Sequence, residues 1–263
     1  MKFCLSSRQS AEYLRKADEI RVDERDHRSV PDLAEKYPNA DIVLIWRCSA
    51  NNVITRENII EYNILSKQKL IVCVDSLTPE MASFFGDNNI RYFWGYPVTT
   101  PYELQSIKEF FNVEYVRVDA PLFFQTDLLK KFGIPVRVTP NVAHYNYLPR
   151  ENGINGTWIR PEDLHLYEDV FAAAEFEGVN LDQERALFRI YAEQKKWPGD
   201  LNYIITNIGT NGYVNRMLPE DFTKARLNCG QRCASMGACR LCFRYVHLAD
   251  PERMRAYLEA TKD

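Results

Sequence analysis

Short apolar, β-branched runs alternate with amphipathic stretches from the first residue onward. Eight runs read as strands: residues 2–5, 19–23 (EIRVD), 41–47 (DIVLIWR), 70–75 (LIVCVD), 90–94 (IRYFW), 115–119 (YVRVD), 135–139 (PVRVT) and 157–160 (TWIR). Between them, helix-patterned segments fall at 11–17, 31–36, 56–67, 79–85, 102–111 and 126–132. In LTPEM and TTPYEL a Thr precedes Pro79 and Pro101. That is the arrangement of an N-cap followed by Pro in the first helical turn.

Strictly alternating strands and helices predict parallel strands with helices packed outside, because a parallel connection needs a crossover. Eight such units make an α/β chain that closes into a compact (β/α)8 TIM-like barrel. The units are economical, since barrels of this kind take about 250 residues, so a doubly wound open sheet is the competing architecture. The turn after the first strand is SSRQS rather than GxGxxG, which leaves a dinucleotide site of the Rossmann type unsupported. After residue 160 the pattern turns helical: PEDLHLYEDVF starts a helix at Pro161, and 181–197 forms a long amphipathic one. Residues 202–212 read as a short strand and turn, and 251–262 as a terminal helix with Asp250 as its cap. The expected division is a barrel over 1–170, a helical extension over 171–215 and a cysteine-rich metal-binding module over 216–263.

Composition adds that 46% of residues are hydrophobic and 26% charged, with 33 Lys+Arg against 36 Asp+Glu and a net charge of −3. This is the balance of a globular domain rather than a disordered one. No apolar run approaches the roughly 20 residues of a membrane span, and the start MKFCLSSRQS lacks a basic region followed by an apolar one. A soluble, cytoplasmic protein without a membrane partner is expected. Seven cysteines then read as reduced thiols rather than a disulfide framework. Cys4, Cys48 and Cys73 sit in or beside apolar runs and read as core fillers.

The other four crowd into NCGQRCASMGACRLC as Cys229-x3-Cys233-x5-Cys239-x2-Cys242. Four thiols with Gly230 and Gly237 between them suit a tetrahedral thiolate centre, either Zn2+ or a 4Fe-4S cluster. His247 is an alternative ligand. From 222 to 249 there is no Asp or Glu, while Lys224, Arg226, Arg232, Arg240 and Arg244 supply five positive charges. Such charges stabilise thiolates. With Tyr245 and His247 interleaved, they also suit docking of a protein or nucleic-acid partner.

The barrel itself offers a second constellation. Catalytic groups in this fold gather where the loops after the strands converge. Asp23, Asp75 and Asp119 each end a β run, Arg47 and Arg160 are the matching anion-binding candidates, and His144 lies in the polar loop PNVAHYNYLPRENGING. Asp75, Asp119 and His144 are the acid/base candidates.

Together with the order of elements and the later cysteine cluster, the stretch GINGTWIRPEDLHLYE resembles the peptidase U32 family and its relatives. The resemblance implies a barrel. Several members carry a four-cysteine iron–sulfur cluster and act in RNA or quinone hydroxylation, while others are assigned as peptidases. Here the four cysteines are packed into one segment, whereas those of the family are more widely separated. Two functions follow from the sequence: a metal-containing enzyme acting at the barrel mouth on an anionic substrate, or a non-catalytic barrel scaffold whose basic Cys4 module docks a partner.

Overall fold

The computed structural model describes residues 1–48, 53–119, 122–142, 158–176, 178, 180–206, 214–227, 252 and 255. Eight parallel strands follow one another in space: β1 (Lys2–Ser6), β2 (Glu19–Val22), β3 (Asp41–Trp46), β4 (Leu70–Val74), β5 (Arg91–Trp94), β6 (Val116–Arg117), β7 (Val136–Val138) and β8 (Phe171–Glu175). The sheet order is β5-β4-β3-β2-β1-β8-β7-β6. Parallel bridges Phe93–Tyr115 and Val98–Val118 bring β5 against β6, so the sheet nearly closes into the expected barrel. Strands such as LIVCV in β4 are buried along their whole length, as parallel strands covered on both faces must be.

Helices α1 (Ala11–Leu14), α2 (Val30–Lys36), α3 (Arg56–Leu65), α4 (Pro79–Asp87), α5 (Pro101–Phe110) and α6 (Thr126–Phe132) connect successive strands on the outside. The threonines act as predicted. Thr78 accepts from the Met81 N–H, and Thr100 forms a reciprocal capping box with Glu103. Outward-facing strand residues such as Leu5, Ile20, Leu44 and Val72 pack with the helices into the main core, whereas Cys4, Val43, Ile71, Phe93, Tyr115 and Ala173 fill the barrel interior.

The eighth strand is a correction. TWIR does not pair into the sheet; Trp158, Ile159 and Arg160 lead into a 3-10 helix at Pro161–Tyr167, and β8 is the later segment FAAAE. The barrel's strands therefore run past residue 170, and the predicted extension from 171 begins inside the barrel. Alanines read as helix formers, but the β8 position faces a crowded interior. Ala173 there lies opposite Arg137 in the β7 register, so a small side chain is what fits. The helix expected over 181–197 is α7 (Leu181–Ala192). Of the strand and turn expected over 202–212, residues 202–206 are described: Thr206 makes a parallel bridge with Val142, just after a 3-10 turn at Leu201–Tyr203. A second 3-10 turn at Asn215–Met217 leads to α8 (Phe222–Arg226). At the N-terminal end of the strands, Asp41 accepts from Lys2 at 2.8 Å and Arg91 at 2.7 Å, and Arg91 reaches Glu114 at 3.4 Å.

Candidate functional site

Alternation along the strands decides which side chains enter the barrel. With Cys4 inward on β1, the inward positions of its neighbours are Glu19 and Arg21 on β2, Cys73 on β4, Arg117 on β6, Arg137 on β7 and Glu175 on β8. Barrels of this type normally fill these layers with branched aliphatic residues. This one carries a chain of charges instead. Arg137, fully buried, donates to Glu19 and also reaches Glu175 at 3.4 Å. The Tyr115 hydroxyl donates to the other oxygen of Glu19 at 2.8 Å, and the Arg137 guanidinium lies over the Phe93 and Tyr115 rings. One layer nearer the strand ends, Arg117 donates to Glu175 at 2.7 Å, to the Gly95 carbonyl at 2.9 Å and to the Thr139 hydroxyl at 3.3 Å.

Arg21 completes this upper layer with looser partners. Its guanidinium stands 3.7 Å from Glu175 and 3.6 Å from Glu184, and a third of its side chain is exposed. Glu184 comes from the first turn of α7 and is itself buried. It accepts from the Ser6 N–H at 3.1 Å and from the Gln9 amide at 2.6 Å. The field of this cluster orders the protonation states. Burial pushes the Glu175 carboxyl up, but Arg117, Arg137 and Arg21 outweigh it and hold the pKa down at about 2. Burial raises the Cys4 thiol to about 12 against the opposing pull of Arg137, and raises Cys73, also facing the interior, to about 12. Tyr115 is raised by burial and by Glu19. Near neutrality Glu175 is therefore ionised while the Cys4 and Cys73 thiols stay protonated.

The residues singled out from the sequence occupy several places in the fold. Asp23 caps the 3-10 turn at Glu24–Ser29 by accepting from the Arg25 N–H. Asp75, just beyond β4, accepts from the Cys48 thiol at 3.0 Å, and burial followed by this bond raises the Cys48 pKa. Asp119, beyond β6, is buried, and its backbone N–H donates to the Val98 carbonyl at 3.1 Å. Arg47 is exposed immediately after β3. Arg160 is buried away from this layer: it pairs with Asp163, donates to the carbonyls of Pro219 and Glu220, and lies over the Phe222 ring. It clamps the strap 214–227 to the barrel. His144 and the cysteines Cys229, Cys233, Cys239 and Cys242 lie outside the described residues, as does His247. Among the described residues, no group of three or more His, Cys, Asp or Glu side chains is arranged to hold a metal ion, and no helix is long and apolar enough to cross a membrane.

Sequence reasoning missed Glu19, Arg21, Arg117, Arg137, Glu175 and Glu184. For Arg21, Arg117 and Arg137 the signal was present: EIRV, VRVD and PVRV each carry an arginine between apolar neighbours. In a parallel strand buried on both faces, such a charge has to find a partner inside.

No protein-family model matches the chain, and no curated protein matches it. Among solved structures, the chain is similar to the mutually generated monomers of dimeric phosphoribosylanthranilate isomerase from Thermotoga maritima, at 11% identity and a TM-score of 0.47 over 73% of this chain and 98% of that one. It is also similar to N-(5'-phosphoribosyl)anthranilate isomerase from Pyrococcus furiosus, at 15% identity and 0.45 over 73% and 99%. A third likeness is tryptophan synthase subunit alpha from Legionella pneumophila, at 11% identity and 0.41 over 74% and 85%.

Proposed function

We propose that the chain is an enzyme working at the C-terminal mouth of its barrel on an anionic substrate. The observation that carries this reading is the charged lining of the upper barrel. Buried ion pairs stabilise a fold little, because desolvation offsets most of the Coulombic gain. A barrel interior that holds three guanidiniums, with Arg21 and Arg117 each about a third exposed at the strand ends, is built for something besides packing. In this reading Arg21 takes the anion-binding role that the sequence suggested for Arg47 or Arg160. Asp75 and Asp119 at the strand ends, with His144, remain the acid/base candidates. The test is consumption of small anions from a mixed metabolite extract, followed by mass spectrometry. The native protein should deplete at least one anion that an Arg21→Met variant leaves untouched; no depletion by either protein removes the enzyme reading.

The scaffold alternative draws support from Asp23, which caps a turn, and from Arg160, which is committed to Asp163 and to the carbonyls of the strap. Its docking module would be the basic stretch that follows the strap, with Cys229, Cys233, Cys239 and Cys242 as thiolate ligands to Zn2+ or to a 4Fe-4S cluster, and a protein or nucleic acid as partner. The U32-like resemblance points to the cluster, while the spacing itself does not choose the metal. Metal analysis with an anaerobic absorption spectrum decides between them: about one zinc and no colour, or about four irons and a brown band near 400 nm. Protein with neither metal removes the centre.

A further inference from the structure

We propose, resting on the mouth reading above, that Arg21 is the residue that grips the substrate and that the gripped group is a single planar carboxylate rather than a phosphate. Of the three guanidiniums, Arg137 is sealed inside, and Arg117 is bonded to Glu175, the Gly95 carbonyl and the Thr139 hydroxyl. Arg21 differs from both. Its two carboxylate neighbours stand at 3.7 and 3.6 Å, well beyond the 2.7–2.9 Å of a charge-assisted hydrogen bond. The guanidinium is thus held between Glu175 and Glu184 by field rather than by bonds. Its N–H donors can turn to a ligand without breaking a close pair.

Charge selects the ligand. Arg21, Arg117 and Arg137 are matched in number by Glu19, Glu175 and Glu184 within this cluster, so each negative charge that a ligand brings to Arg21 is opposed by Glu175 and Glu184. A carboxylate brings one negative charge and presents two coplanar oxygens to the planar guanidinium fork. A phosphate group brings close to two charges at neutral pH and doubles the repulsion from Glu175 and Glu184, which stand 3.7 and 3.6 Å from the same guanidinium. Glu184 is a positioning residue in this scheme. Anchored by the Ser6 N–H and the Gln9 amide, whose nitrogen also donates to the Leu181 carbonyl at 2.9 Å, it ties the location of Arg21 to α7 and to the loop after β1.

The test titrates the full chain with acetate, benzoate and inorganic phosphate at constant ionic strength and follows the arginine side-chain Nε–H resonances. Loss of one resonance in an Arg21→Lys variant identifies the reporting signal. The expected result is saturable movement of the Arg21 resonance with benzoate and acetate, and binding of phosphate at least tenfold weaker. Arg21→Lys should retain anion attraction but lose most carboxylate affinity. Glu184→Gln, with its melting temperature measured to establish folding, should shift the Arg21 resonance in the free protein and weaken benzoate binding several-fold. Tighter binding of phosphate than of carboxylates overturns the carboxylate assignment while leaving an anionic substrate at the mouth. Carboxylate binding that is unchanged in Arg21→Met and Arg21→Lys overturns the role of Arg21. Absence of saturable binding by all three anions overturns the mouth reading together with this one.

Discussion

Glu175 shows how much a single side chain can depend on its neighbours. Alone in a buried site it would be protonated; with Arg117, Arg137 and Arg21 around it, it stays charged down to about pH 2, against an ordinary value of 4.5. Because the folded pKa lies below the unfolded one, this contribution to stability is complete above pH 4.5 and is lost as pH falls from there towards 2. Glu175→Gln removes the partner of three guanidiniums, and breaking a buried pair in this way costs about 3–5 kcal/mol. Urea denaturation at pH 7 should register that loss, and the variant's stability should fall less steeply than the native protein's between pH 4.5 and 2. At this scale the sequence was read one layer too high. The acids that terminate EIRVD, IVCVD and VRVD attracted the functional assignment, yet Asp23 caps a turn while the strand residues Glu19, Arg21, Arg117 and Arg137 meet inside the barrel.

Among the elements, what was legible had a local cause and what was not had a tertiary one. Thr78-Pro79 and Thr100-Pro101 announce α4 and α5 because capping and proline geometry act within four residues. Seven strands were found where apolar β-branched runs lie between turn residues. The eighth was misplaced because TWIR has strand composition but its arginine is committed to Asp163 and to the carbonyls of the strap, while FAAAE has helix composition and is drafted into the gap between β1 and β7. Packing in a closing sheet overrides propensity there. Val136 and Arg137 of β7 face Phe171 and Ala173, so Ala172 is the extra residue of a bulge by which β8 adjusts its register to that strand.

For the whole molecule, the strap 214–227 is joined to the barrel by a polar knot rather than by apolar contact alone. Arg160 and Asp163 lie at its centre, Thr223 donates to Asp163, and Asn215 donates to Glu162 at 2.7 Å and to the Trp197 carbonyl at 2.6 Å. Phe222 completes it by stacking on Trp158. Arg160→Met should release the strap without unfolding the barrel. Trypsin should then cut at Lys224 at least about tenfold faster, the effect of losing some 1.4 kcal/mol of local stability, while far-UV circular dichroism remains native; an unchanged cleavage rate would show that Arg160 does not hold the strap. The barrel architecture was legible because alternation of strands and helices is a property of the entire chain, whereas the knot joins residues some 60 positions apart through side chains that no periodicity reveals. The interior charges have a further consequence, for synthesis and division of the chain. Glu19 emerges early, but Arg137 follows 118 residues later and Glu175 later still. A chain that ends after β7 holds Arg21, Arg117 and Arg137 against Glu19 alone, and the count evens out only with Glu175 on β8 and Glu184 on α7. Closure of the charged interior therefore waits for the last strand and the helix that follows it.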